Sequence, residues 1–153
     1  GPLPQGRAQT VALFRECAGF FADAWLKFCA SWPKPERMRL LGHILTDRGS
    51  KYAVSGVAVS SRADIDAALK QLKRDKAYAK ATHNTWAALL TDGGPIKGDD
   101  GEAGAGMVII RMLEREDLAD HLIVVTRWYG GKHLGGDRFR HVQTCVRAYL
   151  DAL

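Results

Sequence analysis

Met38-Arg-Leu-Leu-Gly-His-Ile-Leu-Thr46, then Asp47-Arg48-Gly49-Ser50, then Lys51-Tyr-Ala-Val-Ser-Gly-Val-Ala-Val59 is the stretch on which the fold turns. Two apolar runs containing β-branched residues are joined by four turn-forming residues, which is the pattern of a β-hairpin. Working forward, Ser61 offers an N-cap with Asp64 three residues on, and Ile65, Leu69 and Leu72 mark the inner face of a helix. Its outer face holds Lys70, Lys73 and Arg74. A third strand is expected near His83 to Leu90. Thr91 to Gly106 reads as a connection, and its six glycines and four acidic residues make it either functional or mobile. A short helix follows over Met107 to Leu113, with Ile109, Met112 and Leu113 apolar and Glu114 to Asp117 closing it. His121 to Tyr129 contains Leu-Ile-Val-Val, the signature of a buried strand. Gly130 to Gly136 then leads into a last helix with the inner stripe Phe139, Val142, Val146, Tyr149 and Leu150. Strands alternating with helices behind an opening hairpin predict an α+β domain. Its expected form is a two-layer sandwich of a mainly antiparallel sheet with helices on one face.

Working backward from the hairpin, Val11, Phe14, Cys17, Phe21, Trp25, Phe28 and Trp32 recur at steps of three or four, which predicts an aromatic amphipathic helix. Pro33-Lys34-Pro35 ends it. The chain of 153 residues therefore divides into a helix and linker over 1–36 and one domain over 37–153. The leader either packs on the domain in cis or mediates association. Gly1-Pro2 has the look of a cleaved tag.

Hydrophobic residues make up 46% of the chain and charged residues 25%, a composition that builds a core and excludes a disordered chain. The net charge of +5 is unevenly spread: residues 1–40, 47–80, 81–120 and 121–153 carry +3, +4, −5 and +3. A basic chain permits an anionic partner without requiring one. Three cysteines, Cys17, Cys29 and Cys145, form no CxxC pair and read as core thiols of a protein kept in a reducing compartment, with a cytoplasmic location expected. Arg15, Glu16, Asp23 and Lys27 interrupt the longest apolar stretch, so no membrane span is expected.

Several groupings could carry chemistry. Asp99, Asp100 and Glu102 place three carboxylates within four residues, a composition open to a hard cation, but the spacing of a calcium loop is missing. The plainer expectation is that they favour the positive end of a helix starting near Ala103. Gly130 to Gly136 has neither GxxxxGK[ST] nor GxGxxG order, which leaves a basic surface loop in which Lys132, His133, Arg138 and Arg140 reach an acidic partner or a nucleic-acid backbone by charge. His43, His83, His121, His133 and His141 show no zinc spacing. Thr82 and His83 are neighbours on a strand and point to opposite faces, so His83 is expected to hydrogen-bond a loop, with Asn84 doing the same. Lys51-Tyr52 and Arg127-Trp128-Tyr129 come nearest to aromatic readers of single-stranded nucleic acid.

Taken together, Asp47-Arg-Gly-Ser-Lys-Tyr52, Ala81-Thr-His-Asn84, Asp99-Asp-Gly-Glu102 with Ala103-Gly104, and Arg127-Trp-Tyr-Gly-Gly131 with Leu134-Gly135 resemble the successive signatures of the YigZ/IMPACT family over about residues 40–153. Gly136-Asp-Arg-Phe-Arg-His141 is similar to its eukaryotic branch. The resemblance implies the fold of ribosomal protein S5 domain 2, no catalytic residue, no metal and no cofactor. It further implies a role in translational control through a protein partner, either the activator of the kinase that phosphorylates initiation factor 2 α or the ribosome. On that basis the partner surface is expected to include Arg48, Asp99, Asp100, Glu102, Arg127, Lys132, His133, Arg138 and Arg140. A second expectation is direct RNA binding through Lys70, Lys73, Arg74, Lys76 and Lys80, with Arg138 and Arg140. A third is a metal-dependent enzyme with the Asp99, Asp100 and Glu102 carboxylates as ligands and His83 as base. The 36 leading residues are too few for the RWD domain of the eukaryotic branch, and the ferredoxin-like domain that bacterial members add is not expected.

Overall fold

The structure, a computed structural model, describes Ala24, Leu26, Lys27 and residues 37–153. Ala24, Leu26 and Lys27 are helical, and the expectation for the rest of the leader lies outside the described residues. The compact unit Glu36–Leu153 is built around one five-stranded sheet.

Strands β1 (Arg39–Asp47) and β2 (Ser50–Ala58) form the expected hairpin, with Asp47 opposite Ser50. Its two central residues, Arg48 and Gly49, have φ of 47° and 83°, the left-handed geometry that matches a two-residue turn to the twist of the strands. Helix α1 (Arg62–Leu72) starts at Ser61, whose hydroxyl accepts from the Asp64 N–H, while the Asp64 carboxylate accepts from the N–H and hydroxyl of Ser60. A short helix α2 (Lys76–Ala79) follows, capped by Asp75. Strand β3 (His83–Leu90) falls where expected.

The segment expected to be a simple connection contains a strand, β4 (Gly94–Gly98), paired antiparallel with β3. One strand-forming residue, Ile96, between Pro95 and two glycines gave no strand pattern, and an edge position tolerates the proline. Helix α3 (Ala105–Arg115) begins two residues before the expected Met107 and two after the start expected near Ala103, β5 is His121–Trp128 and α4 is Asp137–Asp151. The order across the sheet is β1-β2-β5-β3-β4, and every neighbouring pair is antiparallel.

Helices cover both faces of this sheet, which corrects the expected two-layer arrangement. Tyr52, Val54, Ala87, Ile123 and Val125 pack with Ile109 and Leu113 of α3 and Val142, Cys145, Val146 and Tyr149 of α4. The alternate residues Ala53, Val57, Trp86, Ala88, Leu122 and Val124 pack with Ile65, Ala68 and Leu72 of α1 and Tyr78 of α2. The physical reason is in Leu122-Ile-Val-Val125: a strand with one wet face would alternate, whereas this run is apolar on both. Cys145 is a fully buried core thiol, as expected, and burial pushes it up to about 12.

Candidate functional site

The site lies where β2 and β3 begin and β5 ends, roofed by the loop before α3 and the loop before α4. Register puts Tyr52 and His83 on either side of Arg127, so the three share the sheet face covered by α3 and α4. Arg127 is held by Glu102 at 2.7 Å, with side chains 8% and 3% exposed. The guanidinium also lies 5.8 Å from the ring centroids of Tyr52 and Tyr129. Its Nε and the Tyr52 hydroxyl are buried without a partner. Burial pushes the Tyr52 phenol up to about 12.

The three carboxylates of Asp99-Asp100-Gly101-Glu102 go to three different places. Asp99 accepts from the Gly106 N–H at 2.8 Å and the Gly104 N–H at 3.1 Å, which satisfies free donors at the start of α3. Partial burial raises its pKa, but these hydrogen bonds and the Lys97 charge outweigh that and hold the carboxyl below its usual range. Asp100, at φ 49°, accepts from the Asn84 N–H at 2.8 Å, and its carbonyl meets His83 Nδ1 at 2.7 Å. Glu102 turns inward to Arg127. The loop thus clamps α3, β3 and β5 together. His83 and Asn84 hold a loop, as expected, and Asn84 also donates to the Tyr78 carbonyl and accepts from the Thr126 hydroxyl. Because the carboxylates diverge, the metal-site expectation has no donor cluster behind it. Among the described residues no three His, Cys, Asp or Glu side chains converge as ligands.

The hairpin turn docks on the loop after β5. A Cβ on Gly130 would overlap the Gly49 carbonyl carbon and the Ser50 nitrogen, so the two backbones can approach this closely only without it. The Gly130 N–H donates to the buried Ser50 hydroxyl at 3.1 Å. Arg48 pairs with Asp137 in the first turn of α4 and donates to the His133 carbonyl. Asp137 also meets Arg140 at 3.3 Å. His141 Nε2 lies 2.7 Å from Asp47 Oδ2, and that hydrogen bond, with the Arg48 charge, holds the Asp47 carboxyl below its usual range. Leu134 is buried and pins the loop.

Of the expected partner-surface residues, the structure therefore brings Arg48, Asp99, Asp100, Glu102, Arg127, Lys132, His133, Arg138 and Arg140 to one end of the domain. Their roles differ. Glu102 and Arg127 are interior, Asp99 and Asp100 shape the loop, Arg48 is committed to Asp137, and Lys132, His133 and Arg140 stand exposed. Arg138 lies over the Phe139 ring with its Nε buried and unpartnered. Lys70, Lys73 and Arg74 are elsewhere, exposed at the end of α1 on the far side of the sheet. Asp47, Tyr52, Asp137 and His141 complete the site; the quoted motifs contain them, but none was named among the expected partner-surface residues. Their partners are 85 to 94 residues away in the Arg48–His133, Arg48–Asp137 and Asp47–His141 contacts, and nothing local in the sequence announces such pairs.

The fold and this end-on assembly define an α+β domain whose successive sequence motifs interlock into one surface. A family model, the Impact N-terminal domain, matches residues 48–150, and the chain belongs to that family. It is 39% identical over 116 residues to the protein named Protein IMPACT homolog of Caenorhabditis elegans, covering 71% of this chain and 45% of that protein. It is 33% identical over 136 residues to Protein IMPACT of Rattus norvegicus, covering 82% and 42%. The chain thus spans less than half the length of these curated relatives. A solved chain described as a hypothetical protein superposes with a TM-score of 0.65 at 20% identity, over 76% of this chain and 58% of that one, a likeness of fold. Among the described residues no helix is long and apolar enough to cross a membrane.

Proposed function

We propose that the domain is a binding module of translational control, which holds a protein partner on the surface built from the β1–β2 turn, the end of β5, the 99–104 loop and the start of α4. The carrying observation is that the family's motifs, spread over about 90 residues, meet there and are spent on rigidity: Arg48 on Asp137, Gly130 on Gly49, Arg127 on Glu102. A surface held in one shape costs little ordering on binding. Its exposed rim of Lys132, His133, Arg140 and the half-exposed Tyr129 supplies positive charge and an aromatic, a composition suited to an acidic protein surface.

Support for a non-enzymatic reading comes from the side chains themselves. The Cys145 thiol is buried and pushed up to about 12, and the carboxylates that could act together face apart. The finer proposal, carried over from the family resemblance, is that the partner is the activator of the initiation factor 2 α kinase or the ribosome itself. Membership of the Impact family supports it, while a shared fold with ribosomal protein S5 domain 2 would give only analogy. Affinity capture from cell extract with the full chain, read by mass spectrometry and ribosomal RNA content, tests this. Recovery of the kinase activator or of ribosomes is expected, and recovery of neither contradicts it.

A further inference from the structure

On the sheet face opposite Arg127, helices α1 and α2 leave part of β2 and β5 uncovered, and a groove of about 440 Å³ opens there. Its walls are His43 of β1, Lys51 of β2, Tyr78 of α2, and Trp128 and Tyr129 at the end of β5. Tyr78 and Trp128 brace each other edge to face at 5.3 Å, and the Trp128 indole N–H donates to the Ala77 carbonyl at 2.8 Å, so the aromatic wall is fixed in place. Tyr129 is 44% exposed at the rim.

Charge runs along the same edge. Lys76 and Lys80 flank Tyr78 on α2 and its C-cap, and Lys70, Lys73 and Arg74 precede them at the end of α1. All five are exposed, and none is paired with a carboxylate among the described residues. The single acidic residue between Lys70 and Lys80, Asp75, is turned to the Ala77 N–H as the α2 cap. Unpaired cations of one sign beside a fixed aromatic wall and a lysine-bearing groove fit alternating phosphates and flat rings. An acidic peptide would match the charge but leave the aromatic wall without a stacking partner, and a duplex would keep its bases out of reach of the groove.

We infer that this groove is a binding site for single-stranded RNA, with a base stacked against Tyr129 and Trp128 and the backbone phosphates running over Lys51, Lys76 and Lys80. The groove adjoins the partner surface of the preceding section, sharing Gly49 and Tyr129 with it, but its cations Lys51, Lys76 and Lys80 lie outside that surface, and the inference stands whether or not that proposal holds. A base with its sugar and phosphate fits a groove of this volume, and five further cations serve a strand of several nucleotides where a mononucleotide needs one.

The test is fluorescence anisotropy of the full chain with a labelled 12-nucleotide oligouridylate. Binding is expected at 50 mM salt and should weaken steeply by 200 mM, with a logarithmic salt slope near −2 if about three phosphates are neutralised. Lys76→Glu with Lys80→Glu should weaken binding at least tenfold, and Tyr129→Ala by about 5- to 100-fold through lost stacking. Arg140→Ala, on the partner surface, should stay within twofold while still serving as a probe of protein capture. Circular dichroism of each variant confirms folding, and Lys51→Glu, exposed on the sheet, repeats the charge test without touching α2. The inference is overturned by any of four results: no binding at 50 mM salt, equal binding of an RNA duplex, equal competition by oligoaspartate, or UMP alone competing as well per molecule as the oligonucleotide.

Discussion

Glu102 and Arg127 form the interior joint of the motif surface, and breaking it from one side has a cost that can be worked out. Their side chains are 3% and 8% exposed and meet at 2.7 Å. Arg127→Met leaves the Glu102 carboxylate buried with no counter-charge, and Glu102→Leu does the same to the guanidinium. Losing one partner of a buried pair costs about 3–5 kcal/mol. The contact is a single hydrogen bond with Arg127 Nε unpartnered, which places the loss near the lower end, about 3 kcal/mol. For a domain of this size that lowers the melting temperature by roughly 10–15 °C. The double variant Arg127→Met with Glu102→Leu removes both charges and should be more stable than either single variant, since an apolar pair of similar volume needs no solvation. Urea unfolding followed by far-ultraviolet circular dichroism at pH 7 gives all three values. Single variants within about 1 kcal/mol of the parent, or a double variant as unstable as the two losses added together, would refute the claim that the pair is a desolvated joint.

Other expectations follow from the same geometry. Gly130→Ala should destabilise the domain by more than about 4 kcal/mol, because the methyl meets backbone that has nowhere to move, and urea unfolding should show it or the protein should fail to fold. Asp99→Asn keeps one acceptor oxygen but loses the negative charge at the start of α3, which weakens that helix end by about 0.3–1 kcal/mol at pH 7. The folded Asp99 carboxyl lies below its ordinary 3.8, so its contribution is present above that value and is lost as pH falls through the lower, folded value. Unfolding curves from pH 6 down to pH 2.5 should therefore show a shallower acid limb in Asp99→Asn. Cys145 should resist iodoacetamide at pH 8 in the folded chain and label only in denaturant, read by mass spectrometry of its own peptide.

Much of this architecture was legible in the residues, and the exceptions have physical causes. The β1–β2 hairpin, the Ser61 cap, β3 and the inner stripe of α4 are local patterns, and local patterns survive folding. Strand β4 was not legible because Gly94-Pro95-Ile96-Lys97-Gly98 has no strand character of its own and takes its shape from pairing with β3. The covering of both sheet faces was available in Leu122-Ile-Val-Val125, since an apolar run without alternation means two dry faces, and the one-face expectation overlooked that meaning. At the site, the motifs named the right region but not the roles. Asp99, Asp100 and Glu102 look like one acidic cluster in sequence, yet the turn through Asp100 and Gly101, with φ of 49° and 86°, sends each carboxylate to a different element. The Arg48–Asp137 and Asp47–His141 pairs exist only once the hairpin meets α4, and no spacing rule anticipates a contact of that sequence separation.

The sharpest comparison sets two double variants side by side in affinity capture with the full chain: Lys132→Glu with Arg140→Glu on the partner surface, and Lys70→Glu with Lys73→Glu on the far side of the sheet. The bound kinase activator is quantified against the parent protein, because the second pair belongs to the cations assigned to RNA and would also change ribosome capture. At least a tenfold loss is predicted for the first pair and less than a twofold change for the second, with both folded by circular dichroism. Equal capture by the first pair and the parent, or loss confined to the second pair, would contradict the assignment of the protein partner to the motif surface.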